Sequence, residues 1–208
     1  LDPDTRLSNY AANLLNQAPG INIHRGNGQE HLTAIRSPVL VGGAGAGSFL
    51  YLEDGISMRA PGFANVNALM DAMPGHAQSI EIVRGPGSAL YGSNAVHGLI
   101  NFVSGPITEN KTRLNSSAGS YGRYALTGQS SYVHDASAAR FSISLTGDEE
   151  GYRAASGFEQ QKMRVETQWR TGITDYHFSL AGMNLNQETA GYVKTEDCPS
   201  GQEAYEDE

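Results

Sequence analysis

The sequence predicts an α+β domain followed by antiparallel strands of the kind that build a transmembrane β-barrel, incomplete here at about five strands. Three observations carry this. Short helical and strand-like runs punctuated by glycine fill roughly the first 105 residues. Strict period-two alternation takes over after Gly105-Pro106. No stretch approaches the roughly 18 consecutive apolar residues of a transmembrane helix, a limit that leaves barrel strands open, because their alternation gives a weak hydropathy signal.

The first half divides as follows. Leu7, Ala11, Leu14 and Leu15 recur at helical spacing, so Asp4 to Gln17 reads as a short helix with Asp4 or Thr5 as cap and Pro19-Gly20 as stop. Ile21 to His24 alternates like a strand, Arg25 to Gly28 is turn-like, and Leu32 to Arg36 is a second strand. Val39 to Gly47 runs into a Gly/Ala-rich loop. Phe49 to Glu53 is a third strand, closed by the turn dipeptide Asp54-Gly55. After a Pro61-Gly62 loop, Val66 to Met73 reads as a short helix. Ser79 to Arg84 is a strand broken by Gly85-Pro86-Gly87, Ser88 to Tyr91 is one helical turn, and Leu99 to Val103 is the last strand.

In the second half, Phe141, Ile143 and Leu145 alternate with Ser142, Ser144 and Thr146. Met163, Val165, Thr167 and Trp169 alternate with Arg164, Glu166, Gln168 and Arg170. Five strands are expected, at 112–120, 122–133, 139–148, 161–171 and 174–186. Short turns at His134 to Ala138 and Gly172-Ile173 face one side, and the longer Glu149 to Gln160 faces the other, the habit of outer-membrane barrels. Tyr132, Phe141, Trp169 and Tyr176 fall beside the short turns, and Tyr121, Tyr152 and Phe158 near the opposite rim, as two aromatic belts would. A soluble antiparallel sheet with one buried face gives the same alternation, so alternation by itself leaves both readings open.

Composition excludes several classes. Hydrophobic residues make up 39% and charged residues 17%, too apolar for a disordered chain. The formal charge of −8 is local: Glu196 to Glu208 holds six acidic and no basic groups, so the remainder carries −8 + 6 = −2. No basic footprint for nucleic acid exists. The chain starts at Leu1 without an initiator Met or a signal-peptide apolar run, and is expected to be the front fragment of a longer protein. The single cysteine, Cys198, is either inert or paired beyond residue 208. The glycine-rich runs at 42–47 and 85–92 lack both G-x-x-x-x-G-K-[ST] and G-x-G-x-x-G, which argues against a phosphate cradle. His24, His31, His76 and His97 form no H-x-x-x-H pair, and no cysteine is near them, so neither a metal nor any other cofactor is expected. Ser88 follows Gly87 and precedes Ala89, so no G-x-S-x-G elbow is present, and no enzyme activity is expected.

The informative stretch is 49–103. It holds Phe-Leu-Tyr-Leu-Glu-Asp54-Gly55. It then holds Ile80-Glu81-Ile82-Val83-Arg84-Gly85-Pro86, Ala89-Leu90-Tyr91-Gly92 and Gly98-Leu99-Ile100-Asn101. This resembles the core signature of TonB-dependent receptor plugs. Ile35-Arg36 is similar to an upstream Ile-Arg-Gly element, with Ser37 in place of the glycine, and Leu14-Leu15 with Pro19-Gly20-Ile21 resembles the opening of that domain. The resemblance covers about residues 7–105. It implies a plug at 1–106 and the N-terminal part of a transmembrane barrel at 107–208, ending in an external loop. It also implies a receptor in the outer membrane of a Gram-negative bacterium that binds a siderophore, cobalamin, haem or oligosaccharide. Its partners would be that small-molecule or metal-chelate ligand, the TonB energy-transducing complex and outer-membrane lipid. A passive porin or adhesin is the alternative.

Two kinds of site residue follow. Arg36, Asp54, Gly55, Glu81, Arg84, Gly85, Pro86, Tyr91, Gly92, Gly98 and Asn101 are the structural motif of the plug. Arg84 is expected to tie the plug to carboxylates, which the resemblance places on the barrel wall. In the plug pattern the turn at 24–28 and the loop at 57–63 point outward, so Arg25, Asn27, Arg59 and Phe63 are expected at the ligand. Their guanidinium groups can fork onto carboxylates and stack on rings.

Overall fold

A computed structural model of the chain describes residues 11–25, 29–37, 48–58, 68–149 and 155–188. Three sheets are formed. The helix α1 (Ala11–Leu15) buries Ala11, Ala12, Leu14 and Leu15 and is followed by a hairpin of β1 (Ile21–Arg25) and β2 (His31–Ile35). A four-stranded sheet comes next, built from β3 (Phe49–Glu53), β4 (Ile56–Ser57), β5 (Ser79–Arg84) and β6 (Gly98–Val103), in the order β4-β3-β6-β5. β3 and β6 run parallel, and the other pairs are antiparallel. The core lies where α1 and the hairpin meet this sheet: Leu15, Ile23, Ile35, Tyr51, Ile100 and Phe102 are all buried there.

Asp54 and Gly55 both take positive φ, at 50° and 80°. That is the pair of left-handed residues a two-residue hairpin turn needs, and Asp-Gly is the dipeptide that adopts it most cheaply. The helix expected over 66–73 is absent from its described part. Ala68–Met70 forms a 3₁₀ turn, and a second 3₁₀ turn follows at Pro74–His76. Pro74 keeps the preceding Met73 out of the helical region, and the Met70 and Ala72 carbonyls accept from Gln160 and Lys162 instead of from a helical ladder. The helical turn expected at 88–91 is present as α2 (Ser88–Tyr91).

The third sheet holds five antiparallel strands in sequence order: β7 (Lys111–Ala118), β8 (Arg123–His134), β9 (Ser137–Asp148), β10 (Phe158–Thr171) and β11 (Thr174–Gln187). These are the five expected strands, each shifted or extended by no more than three residues at an end. The turns at Asp135-Ala136 and Gly172-Ile173 lie on one rim; residues 119–122, Glu149 and residues 155–157 lie on the other.

The two faces of this sheet differ in kind. Even-numbered residues of β9 and β10 face the α+β domain. All but Ala138 and Phe158 are polar, and Ser142, Thr146, Gln160, Arg164 and Glu166 are buried against it. The opposite face carries Phe141, Met163, Trp169, Phe178 and Leu180, all exposed. A soluble sheet would bury its apolar face. This one is turned inside out, which decides between the two readings that alternation left open. Trp169 stacks on Tyr176 at 5.3 Å beside the short turns, with Tyr132 and Phe141 exposed on the same face. Phe158 departs from the expected far belt: its even position on β10 turns it inward, where it is buried. Tyr121 is exposed at the far rim, and Tyr152 lies outside the described residues.

Gly98 sits where β6 enters the sheet. A Cβ there would lie 2.6 Å from the Val83 carbonyl oxygen and 3.0 Å from Ile35 Cδ1. Because the nearest atom is backbone, relief requires strands to move. Gly98→Ala is therefore expected to destabilise the domain by about 1–3 kcal/mol, the usual cost of overpacking, measured as a lowered urea midpoint of residues 1–106 or of the full-length protein.

Candidate functional site

The inward row of β10 is a ladder of long polar side chains, two residues apart, that grips the α+β domain along its length. Gln160 Nε2 donates to the Met70 carbonyl at 3.0 Å, and Lys162 Nζ to the Ala72 carbonyl at 2.8 Å. Arg164 comes next, 4% exposed. Its Nη1 is paired with Glu53 Oε1, and its Nη2 donates to Asp54 Oδ2 at 2.9 Å and to Ser104 Oγ at 3.2 Å. Glu166, 2% exposed, accepts from Arg140 Nε at 2.6 Å and Nη2 at 3.1 Å. Arg140 continues to the carbonyls of Ser104 and Gly105 at 3.1 and 3.3 Å. Gln168 closes the row, donating to the Gly105 carbonyl at 3.3 Å and accepting from Ile107 N at 3.0 Å.

The Asp-Gly turn points this network's carboxylate at the wall. Asp54 accepts from Ser104 N at 2.7 Å and Ser104 Oγ at 2.8 Å while it meets Arg164. Gly55 N donates to Asn101 Oδ1, and Asn101 Nδ2 donates to Glu81 Oε2, both at 3.0 Å. Gly55, Asn101 and Glu81, all singled out in the sequence, therefore form one hydrogen-bonded chain from the turn across β6 to β5, and Asp54 beside Gly55 bonds Ser104 and Arg164. Burial raises the Glu53 carboxyl above its usual range against the pull of Arg164. Burial, with Arg25 and Lys162 adding to it, lowers His31 to about 4 and keeps it neutral near pH 7. His76 is likewise lowered to about 4, by burial first and by Arg140.

Asp54, Glu166 and His177 bring ligand-type atoms within 4.8 Å of one another. Arg140 and Arg164 already supply the counter-charge there, so the trio belongs to the ion-pair network.

The remaining sequence candidates are placed as follows. Arg36 has φ 49°, and its backbone N–H donates to the Gly20 carbonyl at 2.9 Å. Arg84 does not meet a carboxylate among the described residues; its Nη1 donates to the Pro19 carbonyl at 3.0 Å. At the described part of the wall the strands bring arginines and the domain brings carboxylates. Gly85 and Gly92 take φ 143° and 83° on either side of Pro86 and α2, and Tyr91 is exposed. Arg25 is exposed at the end of β1, and nearby Gln29 N donates to Gln187 Oε1 at 3.0 Å, at the rim of the longer connections. Asn27, Arg59 and Phe63 lie outside the described residues, as do the 42–47 loop and Cys198. Sequence reasoning missed Arg140, Arg164 and Glu166 as a site. The available signal was the contrast between β10, whose inward residues are all long, and β9, where half are serine or threonine.

A polar inner wall clasping an α+β domain, with an apolar outer face, defines a plugged membrane β-barrel in part. Residues 4–99 match the family model of the TonB-dependent Receptor Plug Domain. In this chain the matched stretch is followed by five antiparallel strands in sequence order. Solved structures with the same fold include the copper transporter OprC, at 21% identity and TM-score 0.70 over 87% of this chain and 28% of that one. The ferric yersiniabactin uptake receptor FyuA from Yersinia pestis matches at 18% identity and TM-score 0.66, over 84% of this chain and 28% of that one. The pyoverdine outer membrane receptor FpvA from Pseudomonas aeruginosa matches at 15% and TM-score 0.63, over 84% and 24%. The chain thus spans less than a third of each of these proteins.

Arg164→Ala leaves Glu53 and Asp54 without their cation in a largely buried place. The expected cost is about 3–5 kcal/mol, as for removal of one partner from a buried pair. In full-length receptor the change should loosen the plug before the barrel unfolds, seen as protease sensitivity of residues 1–106 in detergent.

Proposed function

We propose that the chain is the front part of an outer-membrane receptor and transporter of a Gram-negative bacterium, which binds a scarce ligand on the outside and imports it with energy delivered by the TonB complex. In this reading residues 1–106 are the plug and 107–208 the start of a barrel of about 22 strands with a plugged lumen, ending in an external loop. The supporting observation is the inside-out sheet: apolar residues such as Phe178 and Leu180 are exposed on one face while Arg164 and Glu166 are buried on the other. Hydrocarbon is the solvent such a face requires, and closed barrels are the only sheets that satisfy their backbone there. The receptor performs no bond chemistry of its own; its work is binding and passage.

A metal chelate is the favoured ligand, since the similar structures described above are named for copper, ferric yersiniabactin and pyoverdine. Arg25, Asn27, Arg59 and Phe63 would meet it from the plug. Cations and an aromatic ring suit the carboxylates and rings of such chelators. The test is uptake of radiolabelled ferric chelates and of copper by cells that express the full-length receptor, with and without TonB. Uptake that needs both is expected. Equal uptake without TonB would replace the reading with a passive pore. For the chelate so identified, Arg25→Ala and Arg59→Ala should each weaken binding at least fivefold, about 1 kcal/mol; a change within twofold in both moves specificity to the barrel loops.

The membrane assignment has a direct check. Leu180 is 58% exposed in the middle of the outer face. Leu180→Lys should destabilise the folded barrel in lipid by about 2–4 kcal/mol, read from urea unfolding in vesicles, whereas a solvated sheet face would tolerate it.

A further inference from the structure

The two 3₁₀ turns of the plug carry Met70, Met73 and His76 at i, i+3 and i+6. Met73 caps the turn Pro74–His76, and the His76 backbone N–H donates to the Met73 carbonyl at 2.9 Å. Side chains three residues apart eclipse in that geometry. Met73 and His76 both line one cavity of about 40 Å³, where the turn faces β8, β9 and β10. Met73 is 7% exposed, so its thioether is held away from water. The His76 ring is hydrogen-bonded to the backbone of Ile143 on β9. Its Nε2 is buried and has no hydrogen-bond partner among the described residues. The bonded nitrogen is therefore Nδ1, and a backbone carbonyl that takes the Nδ1 proton leaves the lone pair on Nε2. Metal-ligating histidines are oriented in this way, by a carbonyl on the nitrogen that does not bind. Burial lowers the His76 pKa to about 4, so that lone pair is free of a proton near pH 7.

We propose that Met73 Sδ and His76 Nε2 form a binding site for a soft monovalent metal ion, copper(I), on the face of the plug turn that meets the strands. Histidine spacing gave no metal expectation because it looked for nitrogen and thiol partners; the partner here is a thioether three residues away. The donor set selects the ion. Calcium and magnesium require several oxygen ligands, and structural zinc requires four ligands with thiolate or carboxylate charge. One thioether with one neutral imidazole suits copper(I), which thioethers favour and which is satisfied by few ligands. Lys162 shares the cavity, but its Nζ donates to the Ala72 carbonyl at 2.8 Å, and Asp71 and Glu53 lie close enough to offset its charge. A space of this size admits a bare ion and no chelator, so the site is separate from any chelate met by Arg25 and Arg59. It rests on the docking of the turn against β9, which orients His76, and on neither TonB coupling nor the identity of an imported chelate.

Silver(I), a soft monovalent ion that keeps its oxidation state, is the probe. Full-length receptor in detergent, carrying Cys198→Ser to remove the thiol, is dialysed against it, and bound silver is counted per chain. Met73→Leu keeps the side-chain volume and removes only the sulfur. Met73→Leu and His76→Gln should each weaken one site at least tenfold, and the double variant should bind one silver fewer. Met163→Leu, on the outer face, should change neither count nor affinity. X-ray absorption at the copper edge, on receptor loaded with one equivalent of copper(I) under reducing conditions, adds a reading that packing alone would not move. The copper should show a sulfur neighbour that Met73→Leu removes. An unchanged silver count in the double variant overturns the site, and so does a copper shell that Met73→Leu leaves as it was. Chelate uptake that proves independent of TonB counts against the receptor reading alone and leaves these two measurements as they stand.

Discussion

Arg164 holds the two halves of this chain together. It is a buried cation on β10 that faces two carboxylates of the Asp-Gly turn, Glu53 and Asp54, and sits beside Glu166 and Arg140. A charge taken out of water requires compensation close by, so the turn and the strand fix each other's positions. The rest of the docking follows from the pleat. Once Arg164 points inward, Gln160, Lys162, Glu166 and Gln168 do so as well, at about 7 Å intervals along one strand. Each of them finds a carbonyl, an amide or an ion-pair partner, on the plug or on the adjacent strand. A slip of one residue in the register of β10 would turn this whole row to the lipid side and bring Met163, Val165 and Trp169 against polar backbone.

The same parity sets the outer face. What a strand gives to the plug in polar groups it gives to the membrane in apolar ones, because alternate residues have no other direction to point. The sheet therefore could not be transferred to water without exposing Phe178 and Leu180, nor reversed without burying them against unsatisfied carbonyls. Plug docking and membrane insertion are two consequences of one alternation.

Much of this was legible in the sequence. The five strands were readable because period two survives in Phe141-Ser142-Ile143 and Met163-Arg164-Val165 without interruption. The plug signature was readable because its turns need glycine at fixed places, as Gly55 and Gly98 show. Other features were not legible, for identifiable reasons. The 66–73 segment has helical spacing of apolar residues, but Pro74 and the docking of its carbonyls on Gln160 and Lys162 replace the i to i−4 ladder. Phe158 looks like a belt aromatic until parity along β10 is counted from Arg164. Arg84 looked like the natural tie to the wall because it ends a strand beside a glycine. Among the described residues it reaches the Pro19 carbonyl, and Arg164 makes a tie from the other side of the seam. Which side of an ion pair carries which sign depends on contacts between segments 110 residues apart, and no local pattern encodes that.

The signature therefore takes on a physical meaning. Glu81, Asn101 and Gly55 are linked by hydrogen bonds across three strands, and Asp54 leaves that chain to meet Ser104 and Arg164. None of these groups is turned toward the Arg25 end of the hairpin at the far rim. These residues hold one carboxylate at one height against the strands that face the domain. A domain built this way can change its loops without disturbing the joint that seats it, because the joint is made by the Asp54-Gly55 turn and by strand residues, not by the loops.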